Sequence, residues 1–212
     1  MTPAPYTSIE IIPILNDNYA YVLTASNGKT AIIDPGEAEP VIQFCKNKKI
    51  SPDYIFLTHH HGDHIDGAKQ LKQIYNCEIF GPSMEKDKIG ILDHLLDENS
   101  TIEFGNEMAQ IIETPGHTKG HIVYYFPHSK ILLSGDTLFV MGCGRIFEGT
   151  MEDMYQSLTK LSALPDDTRI YCGHEYTLAN AKFAADYYPK NKEIEKRLNV
   201  ISNLRAKQKI TI

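Results

Sequence analysis

The chain alternates short apolar runs with longer amphipathic ones. Ile9 to Leu15, Tyr19 to Ala25 and Thr30 to Ile33 are rich in β-branched and aromatic residues, and the Asn27-Gly28 pair between the last two signals a tight hairpin. Asp34-Pro35-Gly36 then breaks the chain. Val41 to Lys49 predicts a helix, with Val41, Ile42 and Cys45 on one stripe and a basic end that suits the negative pole of the helix dipole. Tyr54 to Leu57 is an unbroken apolar run of strand length. Ile65 to Tyr75 returns to helical spacing, with Ala68, Leu71, Ile74 and Tyr75 on one face. Met108 to Ile112, His121 to Phe126, Lys130 to Leu133 and Arg169 to Cys172 read as further strands. Thr150 with Asp153 forms a capping-box pattern ahead of a helix over Met151 to Leu161. Leu178 to Tyr188 and Lys192 to Gln208 are helical. Alternating strands and helices predict an α/β layered domain. A soft boundary near Gly173 divides the chain into residues 1–172 and a C-terminal helical part, 173–212.

The loops between these runs carry the chemistry. Residues 58 to 67 read Thr-His-His-His-Gly-Asp-His-Ile-Asp-Gly. Imidazole nitrogens and carboxylate oxygens are the natural ligands of divalent transition metals, and neither a core nor an ordinary surface selects this mixture. Side chains two apart on extended backbone point the same way, so His59 and His61 can grip one ion. Asp63 and His64 follow a glycine turn and suit a second ion. A purification tag or metal-scavenging tract would be terminal and repetitive; this stretch is internal and follows a buried strand. Three later loops repeat one grammar. Gly116-His117, Gly135-Asp136 and Gly173-His174 each place a histidine or aspartate behind a glycine at the end of a β run.

Composition narrows the setting. With 212 residues and 42% hydrophobic content, the chain can build one sizeable core. A net charge of −6 gives no basic field for nucleic acid. Met1 to Pro5 lacks the charged-then-apolar pattern of a secretory leader, and no apolar stretch is long enough to span a bilayer. The expectation is a cytoplasmic monomer that acts on a small molecule and engages neither membrane nor nucleic acid. The four cysteines, Cys45, Cys77, Cys143 and Cys172, form no Cys-x-x-Cys pair and are expected as free thiols. None has a base partner visible in the sequence, which argues against a catalytic thiol.

The ordered set Thr58-His59-His60-His61-Gly62-Asp63-His64, Gly116-His117, Gly135-Asp136 and Gly173-His174 resembles the metallo-β-lactamase superfamily. Asn16-Asp17-Asn18-Tyr19, Gly142-Cys143-Gly144-Arg145-Ile146-Phe147-Glu148-Gly149 and Cys172-Gly173-His174-Glu175-Tyr176 resemble, within it, the glyoxalase II (hydroxyacylglutathione hydrolase) family. The resemblance runs from about Ile9 to the C-terminus. It implies a four-layer αβ/βα sandwich with the site at one open edge. It also implies that His59, His61 and His117 hold one metal ion, that Asp63, His64 and His174 hold another, and that Asp136 bridges the two. His60 is then a non-ligand beneath the loop and Asp66 a structural residue. His94, His121 and His128 are ordinary surface or partly buried histidines.

The implied reaction is hydrolysis of S-D-lactoylglutathione to D-lactate and glutathione, a step in methylglyoxal detoxification. Two ions about 3.5–4 Å apart can share a water and bring its pKa near neutrality, with Asp63 and Asp136 as the catalytic carboxylates. Zinc is the expected ion; histidine and aspartate also suit iron and manganese. A thiolate leaves without a strong general acid, which favours a thioester over an amide. Arg145, Phe147 and Tyr176 are the implied substrate contacts. Some family members carry Lys and Tyr where this chain has Arg145 and Phe147; arginine keeps the charge. Other hydrolases of the fold (lactonase, β-lactamase or nuclease) form one alternative. A mononuclear iron persulfide dioxygenase and a metal-binding protein with weak catalysis are others. The commonest zinc β-lactamases put cysteine where this chain has Asp136. The tail carries Lys190, Lys192, Lys196, Arg197, Arg205, Lys207 and Lys209 against Glu193 and Glu195, either a solvated face or a lure for an anionic substrate. Family members normally continue past Ile212, so a truncated C-terminal part and an incomplete glutathione pocket are expected.

Overall fold

Side-chain alternation along the strands explains the layers of the computed structural model. It describes residues 7–211; Met1 to Pro5, read above for a leader, fall outside them. In strand β2 (Asn18–Thr24), Tyr19, Tyr21 and Leu23 enter one apolar cluster while Ala20 and Val22 enter another. A period of two buries both faces of such a strand when each face has a partner layer.

The first sheet has six strands: β1 (Ser8–Ile14), β2, β3 (Thr30–Ile33), β4 (Tyr54–Phe56), β5 (Glu78–Pro82) and β6 (His94–Leu96), paired in that order. The first three are antiparallel; β3 to β6 run parallel. Helices α1 (Ala38–Lys48) and α3 (Ala68–Tyr75) cover its outer face, and Val41, Ile42, Cys45, Ala68 and Leu71 pack there on Ile55 and Ile79. A one-turn helix α2 (Gly62–Ile65) lies in the histidine-rich loop, and a 3₁₀ turn (Ser83–Glu85) with helix α4 (Lys86–Ile89) links β5 to β6.

The second sheet contains β7 (Thr101–Phe104), β8 (Glu107–Glu113), β9 (Ile122–Phe126), β10 (Ile131–Gly135) and, beyond a two-stranded ribbon of β11 (Leu138–Phe139) and β12 (Gly142–Cys143), β13 (Arg169–Cys172). Its order is β13-β10-β9-β8-β7, with β13 parallel to β10. Phe56, Phe104, Tyr124 and Phe126 fill the space between the two sheets, and Phe56 stacks on Tyr124 at 5.2 Å between ring centres. Helix α5 (Met151–Ser162) covers the outer face of the second sheet through Leu161 on Val123, Tyr125 and Leu132. It opens with the predicted capping box of Thr150 and Asp153. The result is helix, sheet, sheet, helix: the expected αβ/βα sandwich. Helices α6 (Thr177–Tyr187) and α7 (Lys192–Ala206) follow and pack on each other.

The predicted helix over Ile65 to Tyr75 is in fact two. The chain breaks at Asp66-Gly67, where the Gly67 N–H bonds the Pro35 carbonyl at 2.9 Å. Ala68 and Leu71 are buried, but Ile74, six residues on from Ala68 and so about 120° round the helix from it at 3.6 residues per turn, is exposed. Strands β5, β6 and β7 had no counterpart in the sequence reading. They are short, and Glu78, Pro82 and Glu103 interrupt their apolar pattern.

Candidate metal centre

Five strand ends meet at one edge of the sandwich. Asp34 follows β3, residues 58–64 follow β4, His117 lies between β8 and β9, Asp136 follows β10 and His174 follows β13. Ligand atoms of His59, His61 and His117 come within 4.8 Å of one another, as do those of Asp63, His64 and His174. Asp136 stands between the two groups. Its Oδ2 is 3.3 Å from His117 Nε2 and 3.2 Å from His174 Nε2, and its Oδ1 is 3.4 Å from His64 Nε2. All seven residues therefore gather at one place.

The outer atoms of these side chains are anchored. Asp34 is buried and accepts from the Thr58 N–H at 2.8 Å, the Thr58 hydroxyl at 2.7 Å and His64 Nδ1 at 3.0 Å. Its φ of 45° lies in the left-handed region, which aspartate tolerates better than most residues. His117 Nδ1 donates to the Arg145 carbonyl at 2.7 Å. His174 Nδ1 is 2.9 Å from Asp17 Oδ1, and the Asn18 amide donates to Asp63 Oδ2 at 2.8 Å. Such contacts fix ring orientation and tautomer. His121 is wholly buried rather than ordinary. Its Nε2 accepts the Asp136 backbone N–H at 3.1 Å, while Nδ1 contacts Thr114 and Thr137. Burial lowers its pKa to about 3, so it is neutral and free to accept.

Two buried atoms of this cluster lack a hydrogen-bond partner, His64 Nε2 and Asp136 Oδ1, and they face each other across 3.4 Å. That distance suits charge attraction better than a hydrogen bond. His59 Nε2 and His117 Nε2 each lie 3.0 Å from His61 Nδ1, so three ring nitrogens converge. Converging lone pairs with orphaned buried polar atoms fit divalent cations.

Electrostatics divide the cluster. Burial, then the neighbouring imidazoles, push the pKa of His59 well below the usual histidine range. Burial and His117 lower that of His61, and burial lowers His117 against the pull of Asp136. Burial opposes protonation of His64 too, but Asp136 and Asp34 outweigh it and raise the pKa well above normal. His174 is raised in the same way by Asp136 and Asp17. Burial disfavours the Asp136 anion, yet His64 and His174 hold it ionised, well below the usual carboxylate range.

A cavity of about 570 Å³ opens over the cluster, walled by Phe139, Cys143, Arg145, Phe147 and Tyr176. The Phe147 ring meets His61 and His117 edge-on at 5.7 and 5.2 Å. Tyr176 stacks on His174 at 4.6 Å. The Arg145 guanidinium is 5.6 Å from the Phe147 ring centre. Cys143 and the buried Cys172 have thiols raised by burial, Cys172 to about 12, which leaves them poor nucleophiles. None of the tail's basic residues walls this cavity; Arg205 instead pairs with Glu175 at 3.2 Å.

Sequence reasoning missed Asp34, His121 and the anchoring roles of Asp17 and Asn18. Asp34 carried a signal, an acid at a strand end, but Asp-Pro-Gly reads equally as a turn. His121 carried none.

A helix–sheet–sheet–helix sandwich with histidines and aspartates along one edge defines the metallo-β-lactamase superfamily, whose sequence model matches residues 15–174. Residues 175–212 match the model of the hydroxyacylglutathione hydrolase C-terminus. The chain belongs to the hydroxyacylglutathione hydrolase family. It is 48% identical over 206 residues to the hydroxyacylglutathione hydrolase of Citrobacter koseri, which covers 97% of this chain and 80% of that one. Among solved structures, the BLEG-1 B3 metallo-β-lactamase is 28% identical with a TM-score of 0.73, covering 79% of this chain and 91% of its own. TTHA1623, crystallised in a di-iron-bound form, is 26% identical with a TM-score of 0.65 over the same shares.

Proposed function

We propose that the protein is a metal-dependent thioesterase that hydrolyses S-D-lactoylglutathione, or a related S-2-hydroxyacylglutathione, to the 2-hydroxy acid and glutathione. One observation carries the reading: a cluster of histidines and aspartates with orphaned buried atoms lies on the floor of a cavity walled by Arg145 and Tyr176, in a chain of this family. In this reading His59, His61 and His117 hold one ion, Asp63, His64 and His174 the other, and Asp136 serves both. Zinc is the proposed ion, since borderline imidazole and hard carboxylate together suit it. Ions held there supply Lewis acidity towards water and towards a thioester carbonyl.

The chain's own residues do the rest. Burial works against ionisation of Asp63, but His64, the Asn18 amide and His174 hold its carboxyl below the usual range. Asp63 therefore stands ionised and half-exposed at the cavity floor, able to take a proton from attacking water. The departing thiolate needs no strong acid, because a thiol has a pKa of roughly 8.5. Arg145 offers a two-pronged guanidinium to a glutathione carboxylate. Burial first, and then Asp17 and Asp136, raise the Tyr176 hydroxyl to about 12, so it remains a hydrogen-bond donor. Phe147 shields the His61 and His117 rings from water.

No helix among the described residues is long and apolar enough to cross a membrane. We place the enzyme in the cytoplasm as a monomer acting on a small molecule, with the catalytic layers in 1–172 and a substrate-binding helical part in 173–212. The test is loss of thioester absorbance when zinc-loaded protein meets S-D-lactoylglutathione. Turnover at tens per second or faster is expected, within the ordinary range of enzymes. No turnover with two ions bound, verified by elemental analysis, rules the reading out.

A further inference from the structure

A second cluster of ligand-type side chains lies behind the first trio. His60, Glu85 and Glu148 bring their polar atoms within 4.8 Å of one another. Glu85, on the 3₁₀ turn after β5, is 2% exposed, so its carboxylate must be satisfied from within. Its Oε1 accepts the Thr118 hydroxyl and the Gly120 N–H. Its Oε2 takes His60 Nδ1 at 2.9 Å; a carboxylate only accepts, so Nδ1 carries the proton. His60 Nε2 lies 3.5 Å from Glu148 Oε1, which also pairs with Lys88 at 2.5 Å. Glu148 Oε2 accepts the Lys119 N–H at 3.1 Å. Every carboxylate oxygen here already has a protein donor, which makes the cluster a clamp rather than another metal site.

The clamp ties together the three segments that build one half of the centre. His60 is flanked in the chain by His59 and His61. Thr118 to Gly120 follow His117 directly. Glu148 follows Phe147, whose N–H bonds the His117 carbonyl at 3.2 Å and whose ring packs on His61 and His117. The second trio is held by other groups, Asp34, Asp17 and Asn18.

We infer that His60, Glu85 and Glu148 are positioning residues that set the mutual geometry of His59, His61 and His117 and of the Phe147 wall above them, without touching ion or substrate. Asp34 serves both halves, through His64 and through Thr58 beside His59, but the clamp touches the segments of the first trio alone, so its loss should be felt on one ion alone. The inference rests on the metal-binding part of the proposed function and not on its substrate.

The experiment measures the two zinc dissociation constants of the full chain by chelator competition. It compares the parent, His60→Ala and His60→Asn, in which the asparagine amide N–H replaces Nδ1–H. For His60→Ala, one constant should rise about 10–100-fold, the usual cost of losing an outer-shell partner, with the other within threefold of the parent. His60→Asn should restore the first constant to within about fivefold. If His60→Ala does not fold, Glu148→Gln, altered at a partly exposed partner, should weaken the same constant several-fold. Both constants unchanged overturns the clamp; both weakened equally makes it a general prop and overturns it too. These constants need no turnover, so they remain decisive even if S-D-lactoylglutathione is not hydrolysed.

Discussion

Asp34 shows how much one buried carboxylate can hold at this centre. Its two oxygens take the Thr58 N–H, the Thr58 hydroxyl and His64 Nδ1, fixing both the start of the histidine loop and the ring that faces Asp136. Asp34→Ala orphans all three donors inside the protein. An unsatisfied buried donor costs about 1–3 kcal/mol, and alanine tolerates the left-handed backbone at residue 34 less well than aspartate, which adds to the loss. We expect a loss of about 3 kcal/mol in urea unfolding of the metal-free protein, with zinc affinity down about 10–100-fold. Unfolding curves that superimpose on the parent's would refute the anchoring role. At this scale the sequence was readable where chemistry was dense. Ten residues holding four imidazoles and two carboxylates have few explanations, so the ligand loop stood out. The supporting groups did not, because their meaning depends on which strands close together. His121 becomes a partner of Asp136 only once β9 and β10 pair, and Asp34 hides inside an Asp-Pro-Gly turn signal.

Elements supply the precision that single residues cannot. Strands β10 and β13 run parallel and end level, Gly135 paired with Cys172, so Asp136 and His174 emerge side by side. That closeness leaves no room between them. A Cβ added at Gly173 would sit 2.3 Å from Asp136 Oδ1 and 2.7 Å from His64 Cε1. Gly173→Ala should therefore push the carboxylate or the imidazole aside, at about 1–3 kcal/mol of overpacking. We expect at least about a hundred-fold loss of turnover and a deficit in bound zinc, since an ångström of misplacement can cost that much. A thermal midpoint lowered by about 2–12 °C should accompany it. Near-parent activity would mean that the edge is looser than the strand pairing indicates. The long, strongly patterned elements were legible: β2, β3, α1, α5 and its capping box fall where periodicity and turn chemistry put them. The short strands β5 to β7 were not, because three to five residues carry too little pattern to outvote an intervening Glu or Pro. The error at Ile74 is one of phase within α3 itself, since six residues from Ala68 at 3.6 per turn carry its side chain about 120° round the helix.

The whole molecule places six imidazoles in a largely dry edge and gives them opposite tendencies, which makes its pH response predictable in sign. Without metal, His59, His61, His117 and His121 have pKa values depressed below the ordinary histidine value of about 6.5. The unfolded chain then binds more protons than the folded one below that pH, so their contribution to stability is lost as pH falls. His64 and His174 are raised, chiefly by Asp136 overriding burial. Their contribution is full below about 6.5 and is lost as pH climbs through the folded values. Asp136 is depressed, so its share persists above about 3.9 and is lost only at lower pH. The metal-free protein should therefore be most stable near pH 6.5, declining on both sides. Cations change the upper limb. An imidazole must be unprotonated to ligate, so binding grows stronger as pH rises and expels the protons that His64 and His174 retain. Thermal midpoints measured from pH 5 to 9, with chelator and with zinc, should show a peak in the first series and continued gain through pH 8 in the second. A metal-free midpoint that rises steadily from pH 6 to 8 would mean that His64 and His174 do not carry the extra protons, and that Asp136 is held ionised by something other than their charge.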